Sequence, residues 1–106
     1  MKLIRTVVRP EKEEEVIAAL EKEGLFSFTK MDVLGRGRQR GIQVGSTKYD
    51  ELAKSLLMIA VADNQVEKAI AIIQNSAKTG YFGDGKIFIS PIEAAYTIRT
   101  GEKEEG

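Results

Sequence analysis

The sequence predicts an α+β fold in which two strand-helix-strand units form one antiparallel sheet, with both helices on one face of it. Two observations lead to this prediction. Four short segments are rich in β-branched or apolar residues, and two helical segments with an apolar face lie between them. The 106 residues suit a single small domain, residues 1–106, whose core is modest, so that assembly of several subunits would be a natural way to bury more surface.

The first half of the chain predicts one strand-helix-strand unit. Residues 2–9, KLIRTVVR, predict the first strand because they are rich in β-branched residues. Pro10 then opens a helix with glutamates in its first turn and Gly24 just past its end, which is the usual order of helix signals. Residues 25–34 predict a second strand. The residues that follow, to about 54, are glycine-rich, charged and without periodicity, and they predict a long loop, the mobile part of which is residues 37–54.

The second half follows the same plan. Residues 55–62, SLLMIAVA, form a continuous apolar run, as in a strand buried on both faces. A helix is predicted over residues 64–78, with Asn64 and Glu67 as a capping box. A glycine-rich segment and a fourth strand come next, and the charged end of the chain, GEKEEG (101–106), is predicted to be frayed. This order predicts a ferredoxin-like βαββαβ sandwich, in which another subunit covers the open face of the sheet.

The composition excludes several classes of function. Lys plus Arg and Asp plus Glu number 16 each, and zero net charge argues against a dedicated nucleic-acid binder. The chain has no cysteine and no histidine, so it has no disulfide, no thiolate metal site and no imidazole base. No secretory signal is visible, and the longest apolar run, LLMIAVA, is too short to span a bilayer. We therefore expect a cytoplasmic protein without membrane insertion.

The glycine loop at residues 79–86, TGYFGDGK, contains G-x-x-x-x-G-K, but it lacks the Ser or Thr with which a P-loop continues. A P-loop also leads from a strand into a helix, whereas this loop leads from a helix into the predicted strand at residues 86–91, which argues against a P-loop ATPase. Gly80 as a helix cap and Gly83–Asp84–Gly85 as a tight turn would account for the glycines. An anion-binding concavity beside Lys86 would account for them equally well, and the residues alone leave both interpretations open.

Two nucleic-acid interpretations are weaker. Arg36, Arg38 and Arg40 alternate with glycines, but zero net charge favours a solvated loop over a nucleic-acid patch. RNA-recognition domains share the βαββαβ plan, yet they carry an RNP1 pattern on a central strand, and no predicted strand here has it. We therefore expect no nucleic-acid partner.

Four segments together resemble the PII signal-transduction proteins of nitrogen regulation. TGYFGDGKIFI resembles their glycine-loop signature, and GRGRQRG (35–41) resembles the start of their long mobile loop. RPEKEEEV (9–16) resembles their helix start, and IRTGE (98–102) resembles part of their C-terminal loop, here residues 97–106. The resemblance covers nearly the whole chain. It implies a trimer of ferredoxin-like subunits, of one chain or mixed with a paired PII-like protein, with ATP or ADP between subunits and 2-oxoglutarate sensed beside Mg-ATP.

The resemblance also implies roles for individual residues. The residues implied to contact the nucleotide are Gly35, Arg38, Gln39, Gly83, Asp84, Gly85, Lys86 and Arg99. The residues implied to bind 2-oxoglutarate are Gly37, Gln39, Gly41 and Lys54, of which Lys54 meets the distal carboxylate. Gln39 also resembles a glutamine linked to Mg²⁺ in the family. ATP phosphates and 2-oxoglutarate would complete the ligand shell of this metal ion. No residue is assigned a catalytic role, so we expect no enzyme.

Departures from the family pattern indicate one branch of it. Thr97 stands where the family has a second arginine, the long loop is shorter than usual, and the stretch that carries a modified tyrosine is absent. These features are most similar to the PII-like proteins found beside nitrogenase in archaea and some anaerobes. The implied function is a sensor of nitrogen, carbon and energy status that regulates nitrogenase. Regulation of an ammonium transporter or of glutamine synthetase, and slow nucleotide hydrolysis, remain as alternatives.

Overall fold

The fold consists of one main sheet, two helices and two short hairpins. The computed structural model describes residues 1–36, 42–44, 47–49 and 51–105. The strands are β1 (Lys2–Val8), β2 (Thr29–Gly35), β3 (Ile42–Val44), β4 (Thr47–Tyr49), β5 (Leu52–Val61), β6 (Gly85–Pro91), β7 (Ala94–Tyr96) and β8 (Lys103–Glu105). The helices are α1 (Glu13–Lys22), after a 3-10 turn at Pro10–Lys12, and α2 (Val66–Ala77), after a 3-10 turn at Asp63–Gln65.

The main sheet has the strand order β2-β5-β1-β6, and every neighbouring pair is antiparallel. This is the order of a ferredoxin-like βαββαβ sandwich, so the predicted fold class is confirmed. β1 lies between β5 and β6, and its last residue, Val8, pairs with Ser55 on one side and with Gly85 on the other. The register therefore brings the start of β5 and the start of β6 together at the end of β1.

Both helices cover the same face of this sheet. Alternate residues of β1 and β5 are buried because successive side chains of a strand point to opposite faces. They pack against apolar residues of the two helices that recur at helical spacing. The buried apolar core comprises Ile4, Val8, Val16, Leu20, Leu57, Ile59, Val61, Ala69, Ile73 and Ala77.

The opposite face of the sheet is also partly apolar. Met31 of β2 pairs with Leu56 of β5, while Met58 of β5 and Phe88 of β6 pair with the same residue of β1, Arg5. Neither α1 nor α2, the helices of the described residues, covers this face, and Met31 and Phe88 are 45% and 52% exposed. The inner strand β5 is thus apolar on both faces, as its sequence indicated.

The predicted long loop over residues 37–54 is shorter at its end than the sequence suggested. β5 begins at Leu52, because Leu52 and Ala53 extend the ladder to Gly35 and Leu34 of β2 beyond the apolar run. Lys54 consequently lies in the sheet. β3 and β4 pair with each other as a separate antiparallel hairpin within the predicted loop. Residues 37–41 lie outside the described residues.

The predicted capping box at the start of α2 was wrong. Asn64 lies inside the 3-10 turn that precedes α2, and neither this turn nor the helix has a side-chain cap. The neighbouring carboxylate of Asp63 instead accepts a hydrogen bond from the amino group of Met1, at 2.7 Å. Because the 3-10 turn comes first and α2 begins only at Val66, Asn64 does not occupy the N-cap position of the helix.

The prediction that the charged C-terminal residues are frayed was also wrong. β8 pairs with β7 in an antiparallel hairpin, in which Thr97 donates its N–H to the carbonyl of Glu102 at 2.9 Å. Gly101 has a φ of 74°, a turn conformation that glycine adopts without strain. Backbone pairing does not depend on side-chain charge, and for this reason the composition of the segment was misleading.

Candidate functional site

The glycine loop, residues 79–86, connects α2 to β6 at the end of β1. Gly80, Gly83 and Gly85 have φ values of 94°, 98° and 112°. The interpretation of Gly80 as a helix cap was wrong, because α2 ends at Ala77 and Lys78 is already extended. Gly80 instead forms part of the loop itself.

Gly85 is confined by the backbone of β1. A β-carbon placed on Gly85 would lie 1.7 Å from the carbonyl oxygen of Val7, closer than any real contact. Its φ also lies in the region that L side chains rarely adopt. Only glycine therefore lets the loop enter β6 so close to β1.

The carboxylate of Asp84 holds the loop together from inside. It accepts the N–H groups of Thr79 and Gly80 at 2.8 and 2.9 Å, the hydroxyl of Thr79, and Nε of Arg9 at 3.1 Å. Burial alone would raise the pKa of Asp84, but the hydrogen bonds from Thr79, Gly80 and Arg9 outweigh burial and lower the pKa well below its usual range. Asp84 is thus held as a charged acceptor.

Two cations hold the loop from the side of the sheet. Arg9, just past β1, donates Nη2 to the carbonyl of Phe82 at 2.8 Å in addition to its bond to Asp84. Lys54 of β5 donates Nζ to the carbonyl of Gly83 at 2.5 Å. Three consecutive loop residues are therefore fixed by side chains from two adjacent strands.

Lys54 is a buried cation that forms no ion pair with an acidic residue in the described part of the chain. Only 9% of the residue is exposed, and among the ion pairs of the described residues none involves Lys54. Burial, and then the charge of Arg9, lower the pKa of Lys54, whereas Glu11 and Asp84 act in the opposite direction. A buried ammonium of this kind favours a negatively charged ligand, since pairing offsets the cost of desolvation.

The structure brings several of the predicted site residues together. Gly35, at the end of β2, lies against Lys54, with an added β-carbon only 3.4 Å from Cγ of that lysine. Lys86 lies near the start of β6 and is exposed. Its carbonyl accepts a hydrogen bond from the hydroxyl of buried Thr6 at 3.0 Å. Gly83, Asp84 and Gly85 complete the cluster around the end of β1.

The other predicted site residues are elsewhere. Arg99 lies in the exposed turn of the β7–β8 hairpin, which forms a sheet of its own. Four predicted residues lie outside the described residues: Gly37, Arg38, Gln39 and Gly41.

Arg9 was missed by sequence reasoning. It was noted only as part of the helix start RPEKEEEV, and nothing in that segment connects it to a loop 75 residues away in sequence. Its role depends on the pairing of β1 with β6, which a local pattern does not reveal.

A groove of about 650 Å³ opens beside the glycine loop, of a size that suits small-molecule ligands. Its lining combines apolar residues of β1, β6 and α2 with Gln74, Asp84 and Lys86. In the described part of the chain, no group of three or more His, Cys, Asp or Glu side chains could hold a metal ion. Nor does this part contain a helix long and apolar enough to cross a membrane.

The strand order defines a ferredoxin-like sandwich, and the glycine loop and the cations of Arg9 and Lys54 lie together at the end of β1. The chain belongs to the P-II family: the sequence model described as nitrogen regulatory protein P-II matches residues 1–102. The predicted family is thereby confirmed.

Relatives from methanogenic archaea place the chain within that family. It is 53% identical over 102 residues to the nitrogen fixation nifHD region GlnB-like protein 1 of Methanothermococcus thermolithotrophicus, with 96% of this chain and 97% of the relative covered. It is 55% identical to the nifHD2 region GlnB-like protein 1 of Methanosarcina barkeri, with 97% and 98% covered. Identity to nitrogen regulatory protein P-II 2 of Methanothermobacter thermautotrophicus is 45%, with 96% and 92% covered. The predicted resemblance to the branch associated with nitrogen fixation is confirmed.

Gly85→Ala and Gly80→Ala should differ sharply in stability. Both positions have positive φ, so each alanine incurs backbone strain of about 1–3 kcal/mol. Only Gly85→Ala also drives a β-carbon into the carbonyl of Val7, because nothing lies within 4 Å at Gly80. Urea unfolding should therefore show a larger loss of free energy for Gly85→Ala, and equal losses would contradict the close approach of loop and strand.

Proposed function

We propose that this protein is a sensor that binds ATP or ADP together with 2-oxoglutarate and regulates a partner protein, without catalysing a reaction. One observation carries the proposal. At the end of β1, a glycine loop suited to anions meets a buried ammonium, that of Lys54, that has no acidic partner among the described residues. The site can thus take two anionic groups side by side, and membership of the nitrogen regulatory P-II family favours a nucleotide and a carboxylate effector.

The nucleotide phosphates would lie on the glycine loop. Gly83 and Gly85 allow the backbone to approach an anion closely, and the exposed Lys86 supplies a point charge. Gly35 borders the same cluster from β2, while Arg38 and Gln39 follow it in sequence and would approach the nucleotide from there. Arg99 lies in a separate hairpin, so we propose that it reaches the phosphate of a neighbouring subunit.

The effector would lie against Lys54. Its ammonium has three donors, and among the described residues one is used on the carbonyl of Gly83, so the others would serve the distal carboxylate of 2-oxoglutarate. Gly37, Gln39 and Gly41 would bind the rest of the effector. Mg²⁺ favours six oxygens, and Gln39, the ATP phosphates and 2-oxoglutarate would supply them together. ATP, Mg²⁺ and 2-oxoglutarate should therefore bind interdependently.

Calorimetry should separate the two halves of this site. Lys86→Ala should weaken ATP binding about tenfold or more, because it removes a charge-assisted contact to phosphate. Lys54→Met keeps the length and apolar stem of the side chain but removes its charge, so 2-oxoglutarate binding at saturating Mg-ATP should weaken about tenfold or more.

Lys22→Ala is the matched control, since this exposed lysine ends α1 away from the site. In the unchanged protein, 2-oxoglutarate should bind better with Mg-ATP than with ADP or without nucleotide. Equal binding under the three conditions would contradict the proposed linkage.

We also propose that three chains assemble through the open face of the sheet. A core this small gains from oligomerisation, and the uncovered face carries Met31, Met58 and Phe88. Phe88→Glu places a charge on that face and should yield monomers by light scattering, whereas the unchanged protein should have the mass of three chains. Ala71→Glu adds the same charge to the exposed side of α2 and should leave the mass unchanged. A monomeric unchanged protein would overturn the assembly.

The partner we propose is nitrogenase, in the cytoplasm. The support is that the relatives of 53% and 55% identity are named for the nitrogen fixation nifHD region. Both are numbered GlnB-like protein 1, which suits assembly with a paired PII-like protein as an alternative to a homotrimer. Tagged protein from nitrogen-fixing cells should retain nitrogenase in a manner that changes with 2-oxoglutarate and Mg-ATP. Retention of an ammonium transporter or of glutamine synthetase instead would favour those partners.

Slow nucleotide hydrolysis is the remaining alternative. The chain has no histidine, and a sensor requires its nucleotide to persist. Turnover of about 1–1,000 per second in an ATPase assay would favour an enzyme over a sensor.

A further inference from the structure

We infer that Arg9 is a positioning residue for residues 82–86, the half of the glycine loop that would bind phosphate. It acts through the carboxylate of Asp84 and the carbonyl of Phe82. This inference rests on the proposed binding of a nucleotide. It assigns Asp84 an internal role, that of a fixed acceptor within the loop, rather than direct contact with phosphate.

The backbone N–H donors of residues 79–81, the first half of the loop, already form hydrogen bonds within the loop. The N–H groups of Thr79 and Gly80 go to Asp84, and the N–H of Tyr81 goes to the hydroxyl of Thr79 at 3.3 Å. These three donors cannot also bind an anion. Any backbone donors for phosphate in this loop must therefore come from residues 82–86.

The carboxylate of Asp84 is likewise fully engaged. Its Oδ1 accepts Arg9 Nε and the hydroxyl of Thr79, and its Oδ2 accepts the N–H groups of Thr79 and Gly80. An uncompensated carboxylate beside a triphosphate would repel it, and the guanidinium of Arg9 is the full positive charge among these four donors. Arg9 thus both orients Asp84 and offsets its charge.

Arg9 also fixes the loop at a second point. Its planar guanidinium bonds Asp84 through Nε and Phe82 through Nη2, so that it grips the residues on either side of Gly83. The fork geometry of arginine allows this, whereas the single ammonium of a lysine does not reproduce it. Arg9 directly follows Val8, which pairs with Gly85, so these contacts tie the loop to an inner strand of the sheet.

The test compares ATP with adenosine, which shares the base and sugar but has no phosphate. Arg9→Ala and Arg9→Lys should each weaken ATP binding about tenfold or more by calorimetry and leave adenosine binding within about twofold. Thr79→Val removes the hydroxyl that links Asp84 to Tyr81 and should weaken ATP binding in the same selective way. Thr79→Ser keeps a hydroxyl at this position and should bind ATP as the unchanged protein does. Lys12→Ala is the matched control, because its ammonium pairs with the exposed Glu15, at 3.5 Å, and not with the glycine loop.

The outcomes separate this inference from the proposed function. If the unchanged protein does not bind ATP, both are overturned. If it binds ATP and the Arg9 and Thr79→Val variants bind it equally well, the inference alone is overturned. Equal losses for ATP and adenosine, or a fall in urea stability that accounts for the loss, would show a general structural role and would also overturn it. Selective loss of ATP affinity with rescue by Thr79→Ser supports it.

Discussion

The register at the end of β1 is the constraint on which the site depends. Val8 pairs with Ser55 and with Gly85, so the residues next to these three, Lys54 and Asp84 among them, meet around one backbone position. A shift of one residue of β5 against β1 would turn Lys54 toward the helices, and a shift of β6 against β1 would move the loop away from Arg9. The buried face of β1 prevents such a shift, because Ile4, Thr6 and Val8 would then leave the core.

Charge compensation follows from this register. Asp84 lies against Arg9, and both are partly screened from solvent, with side chains 24% and 22% exposed. Within the described part of the chain, the hydrogen-bond partner of Lys54 is a neutral carbonyl, and Lys54 is more deeply buried. One cation thus pairs with an acidic residue of the loop, whereas the other bonds a neutral carbonyl. Two cations therefore lie at the end of β1, although the chain as a whole has equal numbers of acidic and basic residues.

The loop reaches an arrangement that suits anions by a different route from a P-loop. In a P-loop, the free N–H groups and dipole of a helix N-terminus face the phosphate. Here α2 ends before the loop, and its last residues contribute no donor of that kind. The loop is shaped instead by a carboxylate inside it and by two cations from the sheet. A rigid backbone segment is obtained in both cases, but only in the present one does it depend on long-range strand pairing.

Sequence patterns alone were sufficient to predict the fold class, the two helices, the four main strands and the presence of a glycine loop. Hydrophobic periodicity and glycine positions are local properties, and they were sufficient for these features. The glycine motifs also identified the family through resemblance. The sequence did not determine that Lys54 lies in the sheet, that the charged C-terminus pairs as a hairpin, or that Arg9 grips the loop. These features became visible in the folded chain, because each depends on which strands pair and in which register. A local sequence pattern does not reveal the pairing of distant segments.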